Sequence, residues 1–269
     1  MRVQRALRRR STVGTLGVMV ALSATATLAA GCSHEATTVP AASVAPADLL
    51  LDPAGLPAGF TPVQLPVKQL IDANATQLSA AQSTTVTPPQ CRPTADADLN
   101  HRLTEADTAV LGAQSGFGNL VELVTMQTRD LGADIAATTG ACARTETTIR
   151  QGNLAGTTIV TVSTVLPQPP LTDHADDVEQ MHVVESATTT TLPDKGVQTA
   201  VSYSGYALLT RPGGVPVRSP ATVSLTVSGE TTDAVRPPAP APVARPPMSR
   251  EEFVTLFGTA VTTAAQGHT

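Results

Sequence analysis

The first 32 residues constrain this chain most, because they determine the compartment in which the rest of it folds. Five arginines lie within the first ten residues, and residues 13–30 follow without a charge. A cationic start, an apolar stretch and small residues at its end are the layout of a secretory signal peptide. We therefore expect residues 1–31 to be removed and the remainder to fold outside the cytoplasm.

A cysteine directly follows this segment. Residues 28–32 read Leu-Ala-Ala-Gly-Cys, which is similar to the lipobox of bacterial lipoproteins, with the leucine one residue earlier than usual. The lipobox implies that the thiol of Cys32 takes a diacylglycerol, and two or three acyl chains anchor a protein stably. We expect attachment to the cell membrane on its extracytoplasmic face. The alternatives are an ordinary signal peptide cut near Ala30, which leaves a free thiol, and a twin-arginine signal at Arg9-Arg10.

Loss of the signal peptide changes the charge balance. The chain has 17 basic and 22 acidic residues, and five of the basic ones lie in residues 1–31, which hold no acidic residue. The mature chain therefore carries 12 basic and 22 acidic residues, a formal charge of −10. Such an excess argues against nucleic acid as a partner and against general attraction to anionic lipids. Attachment would then depend on the acyl chains.

The two remaining cysteines are expected to form a disulfide. The chain has three cysteines, and acylation of Cys32 leaves Cys91 and Cys142 in an oxidising compartment. A bridge between them closes a loop of about 50 residues, worth around 4 kcal/mol in the chain-entropy model. Two separate reduced thiols are the alternative. Neither cysteine lies in a Cys-x-x-Cys motif, so a redox role is not indicated.

Hydrophobic patterning predicts a single α+β domain, an antiparallel sheet with a few helices packed on it. Short runs of Val, Leu, Ile and Thr bounded by Gly and Pro indicate the strands, and apolar residues at helical spacing indicate the helices. The predicted strands are residues 108–113, 119–126, 157–165 and 183–191, and a hairpin of residues 197–210 and 215–228. The predicted helices are residues 66–81 and 130–143, and residues 172–182 are predicted as a short polar helix or loop.

Composition divides the mature chain into four parts. Residues 32–46 are a polar tether, residues 47–235 are the α+β body, and residues 236–248 are a proline-rich spacer. The spacer is expected to be extended polyproline II, and a docking ligand for a partner is the alternative. Residues 249–266 are predicted as an amphipathic helix that begins with a capping box and packs on the body. The alternative, a membrane-surface helix, lacks a cationic face.

The sequence contains no recognisable catalytic, cofactor or metal motif. Residues 112–118 contain three glycines and a serine. They match neither a nucleophile elbow nor a phosphate loop, so we expect a turn between strands. Metal ligands are densest in residues 173–182, where His174, Asp177 and His182 would share one side of a helix. A zinc site needs three or four ligands with oriented outer partners, so a solvated helix start is favoured over a metal site.

The layout resembles a known group of proteins. Its elements are the lipobox, LLLDPAGLPAGF at residues 49–60, TPPQC ending at Cys91, GACAR around Cys142, and the capped final helix. They resemble the small cell-envelope lipoproteins of mycobacteria and other actinobacteria and, more loosely, the extracytoplasmic sensor-domain family named after the mycobacterial kinase PknH. Over about residues 46–266 this resemblance implies an α+β fold and a role in ligand sensing, with one disulfide where the kinase domain has two.

These observations predict a non-enzymatic binding or sensor module of the cell envelope, which recognises an unknown envelope ligand or protein partner. One alternative is a carrier of lipid or another apolar molecule, which requires a large cavity between sheet and helices. A second alternative is an envelope hydrolase, which requires a cleft with a Ser or His of strongly perturbed pKa. We expect no catalytic residue, no cofactor and no metal site.

Overall fold

The computed structural model describes residues 44–267, and within them nine strands form one antiparallel sheet. The predicted signal peptide, Cys32 and most of the tether lie outside the described residues. The strands are β1 (Thr61–Val63), β2 (Thr84–Thr87), β3 (Thr108–Ser115), β4 (Gly118–Thr125), β5 (Arg144–Ile149), β6 (Thr158–Val165), β7 (Val178–Thr191), β8 (Val197–Leu209) and β9 (Ala221–Gly229). Their order across the sheet is β1-β3-β4-β9-β8-β7-β6-β5-β2.

Four α-helices lie in the described part of the chain. They are α1 (Val67–Gln82), α2 (Ala95–Asn100), α3 (Leu131–Thr138) and α4 (Arg250–Gln266). The described residues form one compact unit, so the predicted single α+β domain with an antiparallel sheet and a C-terminal helix is confirmed. No helix among the described residues has the length and apolar character needed to cross a membrane.

Some predicted boundaries are wrong. Residues 178–182 belong to β7 rather than to a helix or loop, because they pair with β8 and a short 3-10 turn at Ala175–Asp177 precedes them. The second arm of the predicted hairpin begins at Ala221 rather than at residue 215. The predicted helix at residues 130–143 is α3 followed by a 3-10 turn at Gly140–Cys142.

One face of the sheet packs against α4. The Ser249 side chain accepts a hydrogen bond from the amide of Glu252, and the Glu252 carboxylate accepts one from the Ser249 amide, so the predicted capping box is present. Phe253 stacks on Tyr203 of β8 with ring centroids 5.2 Å apart. Further apolar side chains of β3, β4, β8 and β9 complete this core, among them Leu111, Leu120, Val124, Leu209, Val223 and Leu225. This layer is the main core of the protein.

The opposite face carries a much smaller apolar cluster. Leu99 and Leu103 pack on Leu123 of β4, with Leu70 and Ile71 of α1 partly buried beside them. No residue of α1 is fully buried. This helix therefore covers its side of the sheet without a packed layer beneath most of its length.

Two contacts hold connecting segments to the rest of the fold: a disulfide, and a hydrogen bond to the proline-rich segment. Cys91, in the 3-10 turn after β2, is bonded to Cys142, in the 3-10 turn after α3. Residues 236–248 contain no helix or strand, yet they contact the body, because Thr199 of β8 donates a hydrogen bond to the carbonyl of Pro242 at 3.0 Å.

Candidate functional site

A cleft of about 610 Å³ lies between α1, α2 and the open face of the sheet. Alternation along the strands and their pairing place the floor residues on one face, since Ser204 pairs with Thr226 and Tyr206 with Ser224. The lining residues used below are Asn74, Gln77 and Leu78 of α1, Asp96 and Asn100 of α2, Arg129, and Ser204, Tyr206, Ser224 and Thr226 of the floor. We call this space the polar cavity.

Arg129 forms the charged part of the polar cavity and is only 5% exposed. Its Nε and Nη2 donate to the two carboxylate oxygens of Asp134 at 2.6 and 2.9 Å, and its Nη1 donates to Asp96 at 2.8 Å. Its guanidinium carbon lies 4.2 Å from the centroid of the Tyr206 ring, a cation–π distance. The guanidinium is thus held in one orientation by three neighbours.

The pKa values of this cluster follow from burial and pairing. Burial lowers the pKa of Arg129, but the hydrogen bond to Asp134 and the nearby charges outweigh it, so the net pKa is raised and the guanidinium stays charged. Burial raises the pKa of Asp134, although its bond to Arg129 opposes this shift. Burial also raises the pKa of Tyr206, so its hydroxyl is neutral.

Asn100 is the buried amide of the polar cavity, with 7% of its surface exposed. Its Nδ2 donates to the carbonyl of Ile71 at 3.2 Å, which determines which end of the amide is the acceptor. Its Oδ1 is buried and has no hydrogen-bond partner among the described residues. Unpartnered buried acceptors are uncommon in proteins, because desolvation is uncompensated.

A second cavity of about 960 Å³ adjoins the first along α1. It lies between the C-terminal half of α1 and the strands β2, β5 and β6 at one end of the sheet, and its lining is mainly apolar. The apolar side chains that line it include Leu78, Ala81, Val86, Ile149, Leu154 and Ile159. We call this space the apolar cavity.

The two cavities share lining residues and therefore adjoin each other, and we call the two together the cleft. Gln77, Leu78 and Ala81 of α1 and Asp96 of α2 line both. Leu154, at the turn between β5 and β6, is 51% exposed at the apolar cavity. The cleft thus passes from a hydrogen-bonding end to an apolar end beneath a single helix.

The histidines weighed as metal ligands do not share a helix face. His174 Nδ1 lies 3.0 Å from Asp177 Oδ2, whereas His182 lies on β7 with its Nε2 2.8 Å from the hydroxyl of Thr138. Burial lowers the pKa of His182, which favours the neutral ring. Residues 44–267 contain no group of three or more His, Cys, Asp or Glu side chains arranged to hold a metal ion.

Sequence reasoning did not find the cleft. The alternation of β8 and β9 indicates one polar face, but a face that borders a cleft and a face that borders bulk water have the same pattern. Arg129 follows β4 without a motif around it. The one usable signal was α1, whose apolar residues 70, 71 and 78 indicate a helix that covers another surface.

Comparison with known proteins adds little. No protein-family model matches the chain, and no curated protein is similar to it. The X-ray structure of an uncharacterised protein from Mycobacterium smegmatis is similar over 84% of this chain and 98% of that chain, with 14% identity and a TM-score of 0.37. A TM-score at this level supports neither a shared family nor a shared function. The resemblance to the sensor-domain family therefore stays a prediction.

Proposed function

We propose that this protein is a membrane-anchored, extracytoplasmic binding protein that holds an amphipathic ligand beneath α1 and catalyses no reaction on it. The observation that carries the proposal is the pair of adjoining cavities, one polar at Arg129 and Asn100 and the other apolar around Leu78 and Leu154. Such a cleft suits a molecule with a polar headgroup and an apolar tail. Anchoring by acyl chains on Cys32 is part of the proposal and depends on the lipobox.

The size and covering of the cleft support a bound molecule. Ligand sites usually measure about 300–1,000 Å³ and are mostly apolar with a few placed polar groups, and the apolar cavity has about 960 Å³. A ligand there would contact the underside of α1, which has no fully buried residue. A carrier of apolar molecules and a binding or sensor module would therefore both use this cleft.

The lining of the cleft favours binding over hydrolysis. Ser204 and Ser224 lie on the floor of the polar cavity and Ser83 lines the apolar cavity, and among the described residues no histidine lines either cavity. A serine nucleophile needs a base within hydrogen-bond reach. His182, the buried histidine of the described residues, is bonded to Thr138 instead.

Native mass spectrometry tests the proposal. The lipobox form is expressed in an actinobacterial host, released gently and weighed under native and denaturing conditions. We expect additional native mass that is lost on denaturation, because a ligand held without a covalent bond dissociates when the cleft unfolds. A native mass equal to that of the acylated, disulfide-closed chain would contradict the proposal.

Two tryptophan substitutions in α1 locate the ligand. Leu78 lines both cavities, so Leu78→Trp fills their junction and is expected to remove most of the additional mass. Ser79, its neighbour, is exposed and lines neither cavity, so Ser79→Trp is the matched control and keeps the ligand. Equal loading of the two variants would place the ligand elsewhere.

A further inference from the structure

We infer that the polar cavity receives an uncharged headgroup rich in hydroxyls, such as a sugar, rather than one that carries a phosphate or carboxylate. The inference rests on the proposed function, because it concerns the polar end of the same cleft. Three observations carry it: the charge of the cluster around Arg129, the chemistry of the other lining side chains, and the unpartnered oxygen of Asn100.

The charged groups of the polar cavity leave no free cation for an anion there, and Arg92, which lines the apolar cavity, donates to the carbonyls of Ala81 and Thr84. Within residues 44–267, Arg129 is the one basic residue that lines the polar cavity, and its Nε, Nη1 and Nη2 already donate to Asp134 and Asp96. Two carboxylates face one guanidinium, so the cluster is negative overall. A phosphate or carboxylate would have to displace one of these bonds and would meet the remaining negative charge.

The other polar lining groups are neutral. They are the amides of Asn74, Gln77 and Asn100 and the hydroxyls of Ser204, Tyr206, Ser224 and Thr226. Amides and hydroxyls both donate and accept hydrogen bonds. A polyol has the same double capacity on every carbon, so its hydroxyls match a lining of this kind.

Asn100 distinguishes a hydroxyl from an anion directly. Its Oδ1 is an acceptor without a partner among the described residues, and the bond from its Nδ2 to Ile71 prevents the amide from turning over to offer a donor instead. A fully ionised phosphate or carboxylate has no hydrogen to donate. A hydroxyl has one, and donation to Oδ1 would satisfy the buried oxygen.

Four probes test the inference with the mature chain. Dioleoylglycerol, its monoglucosyl derivative and dioleoyl phosphatidylglycerol share the same acyl chains, and methyl glucoside carries the sugar alone. Binding is measured by native mass spectrometry at matched concentrations. We expect the glucosyl lipid to bind at least tenfold more tightly than phosphatidylglycerol and more tightly than dioleoylglycerol.

The other outcomes separate the two proposals. Equal affinity for the three lipids, or a preference for phosphatidylglycerol, would overturn the headgroup inference and leave the proposed function standing. Methyl glucoside binding as tightly as the glucosyl lipid would support a hydroxylated ligand but contradict an amphipathic one. Binding of none of the four would overturn both.

Variants in the polar cavity give a second readout. Asn100→Leu removes the unpartnered acceptor and is expected to weaken binding of the glucosyl lipid about tenfold while leaving dioleoylglycerol binding unchanged. Because this variant also loses the bond to Ile71, Ser204→Ala provides a milder change on the floor. Ser202→Ala, on the same strand and face but outside the cavity lining, is its control. The inference would be overturned if Ser204→Ala and Ser202→Ala bind the glucosyl lipid equally tightly and Asn100→Leu binds it as tightly as wild type.

Discussion

At the scale of single residues, the most unusual group is Glu122, which lies on β4 facing the core beneath α4. Its side chain is fully buried, its Oε2 accepts a hydrogen bond from the amide of Leu51 at 2.9 Å, and its Oε1 has no partner among the described residues. Burial raises its pKa from 4.5 to about 7, and the bond from Leu51 opposes that shift only in part. The carboxyl group therefore changes charge near neutral pH.

We predict that Glu122→Gln removes a pH dependence of stability. The folded-state pKa lies above the unfolded one, so the folded state binds the proton more tightly and wild-type stability falls as pH rises from 4.5 to about 7. At 1.36 kcal/mol per pKa unit, the full effect is about 3 kcal/mol. Urea unfolding at pH 4, 6 and 8 measures the free energy of unfolding of both proteins. Between pH 4 and pH 8, the stability of Glu122→Gln relative to wild type should rise by about this amount.

Glu146→Gln is the control, because Glu146 lies exposed on β5. Its difference in free energy of unfolding from wild type should change little between pH 4 and pH 8. A Glu122→Gln difference that is equally flat would show that the carboxyl group is not buried as the structure has it.

Sequence reasoning could not identify Glu122 as a core residue. It lies between Val121 and Leu123 in a strand that was predicted correctly, and a glutamate in such a strand indicates the solvent face. In the structure Val121 and Leu123 face the cleft, while Leu120, Glu122 and Val124 face the core. A strand covered on both faces loses the alternation by which its faces are recognised.

At the scale of elements, α4 is positioned by a glycine in the sheet. Phe257 packs on β8 directly over Gly205, where a Cβ atom would lie 2.6 Å from the ring. The helix approaches the strand this closely because that residue has no side chain. Neighbouring side chains of both elements, including Tyr203 and Phe253, are fully buried.

We predict that Gly205→Ala lowers the free energy of unfolding by about 1–3 kcal/mol, because the added methyl overpacks the core against a ring that is held on all sides. Gly116→Ala is the control, since its Cβ would meet nothing within 4 Å in the turn between β3 and β4. Thermal and urea unfolding of the two variants measure the difference. Equal stability would mean that α4 can shift away from the sheet without cost.

At the scale of the whole molecule, the two faces of the sheet differ in how well they are covered. The α4 face has a continuous buried core, whereas α1 lies over the cleft with no buried residue. Segments with few buried apolar contacts open at a lower free energy than core elements. The molecule therefore combines a stable layer with a covering helix that opens more easily.

Hydrogen exchange measures this difference. We predict that amides of α1 exchange at least tenfold faster than those of α4, β4 and β8 in the free protein, and that ligand binding slows exchange in α1 most. The expected change follows from the contacts that a ligand makes with the underside of this helix. Uniform protection across α1 and α4 would contradict the prediction.

Sequence patterns predict some parts of this fold and miss others. The central strands and α4 were predicted because their apolar residues recur at strand or helix spacing, and α4 also has its capping residues. The edge strands β1 and β2, the strand β5 beside β2 and the short α2 were missed, because their runs are short and rich in polar residues. The cleft was missed because it is assembled from α1, α2, Arg129, β8 and β9, which are far apart in the chain.

The two ends of the described chain meet at one place. A Cβ atom on Gly213, in the 3-10 turn after β8, would lie 3.0 Å from Val44, and one on Gly267 would lie 3.1 Å from the Cα of Gly213. Chains whose ends lie together tolerate circular permutation. Joining residue 267 to residue 44 by a short linker and opening the exposed turn at residues 116–117 would free a new pair of termini at the β3–β4 hairpin. A membrane tether or a reporter attached there would then hold the domain by its opposite end.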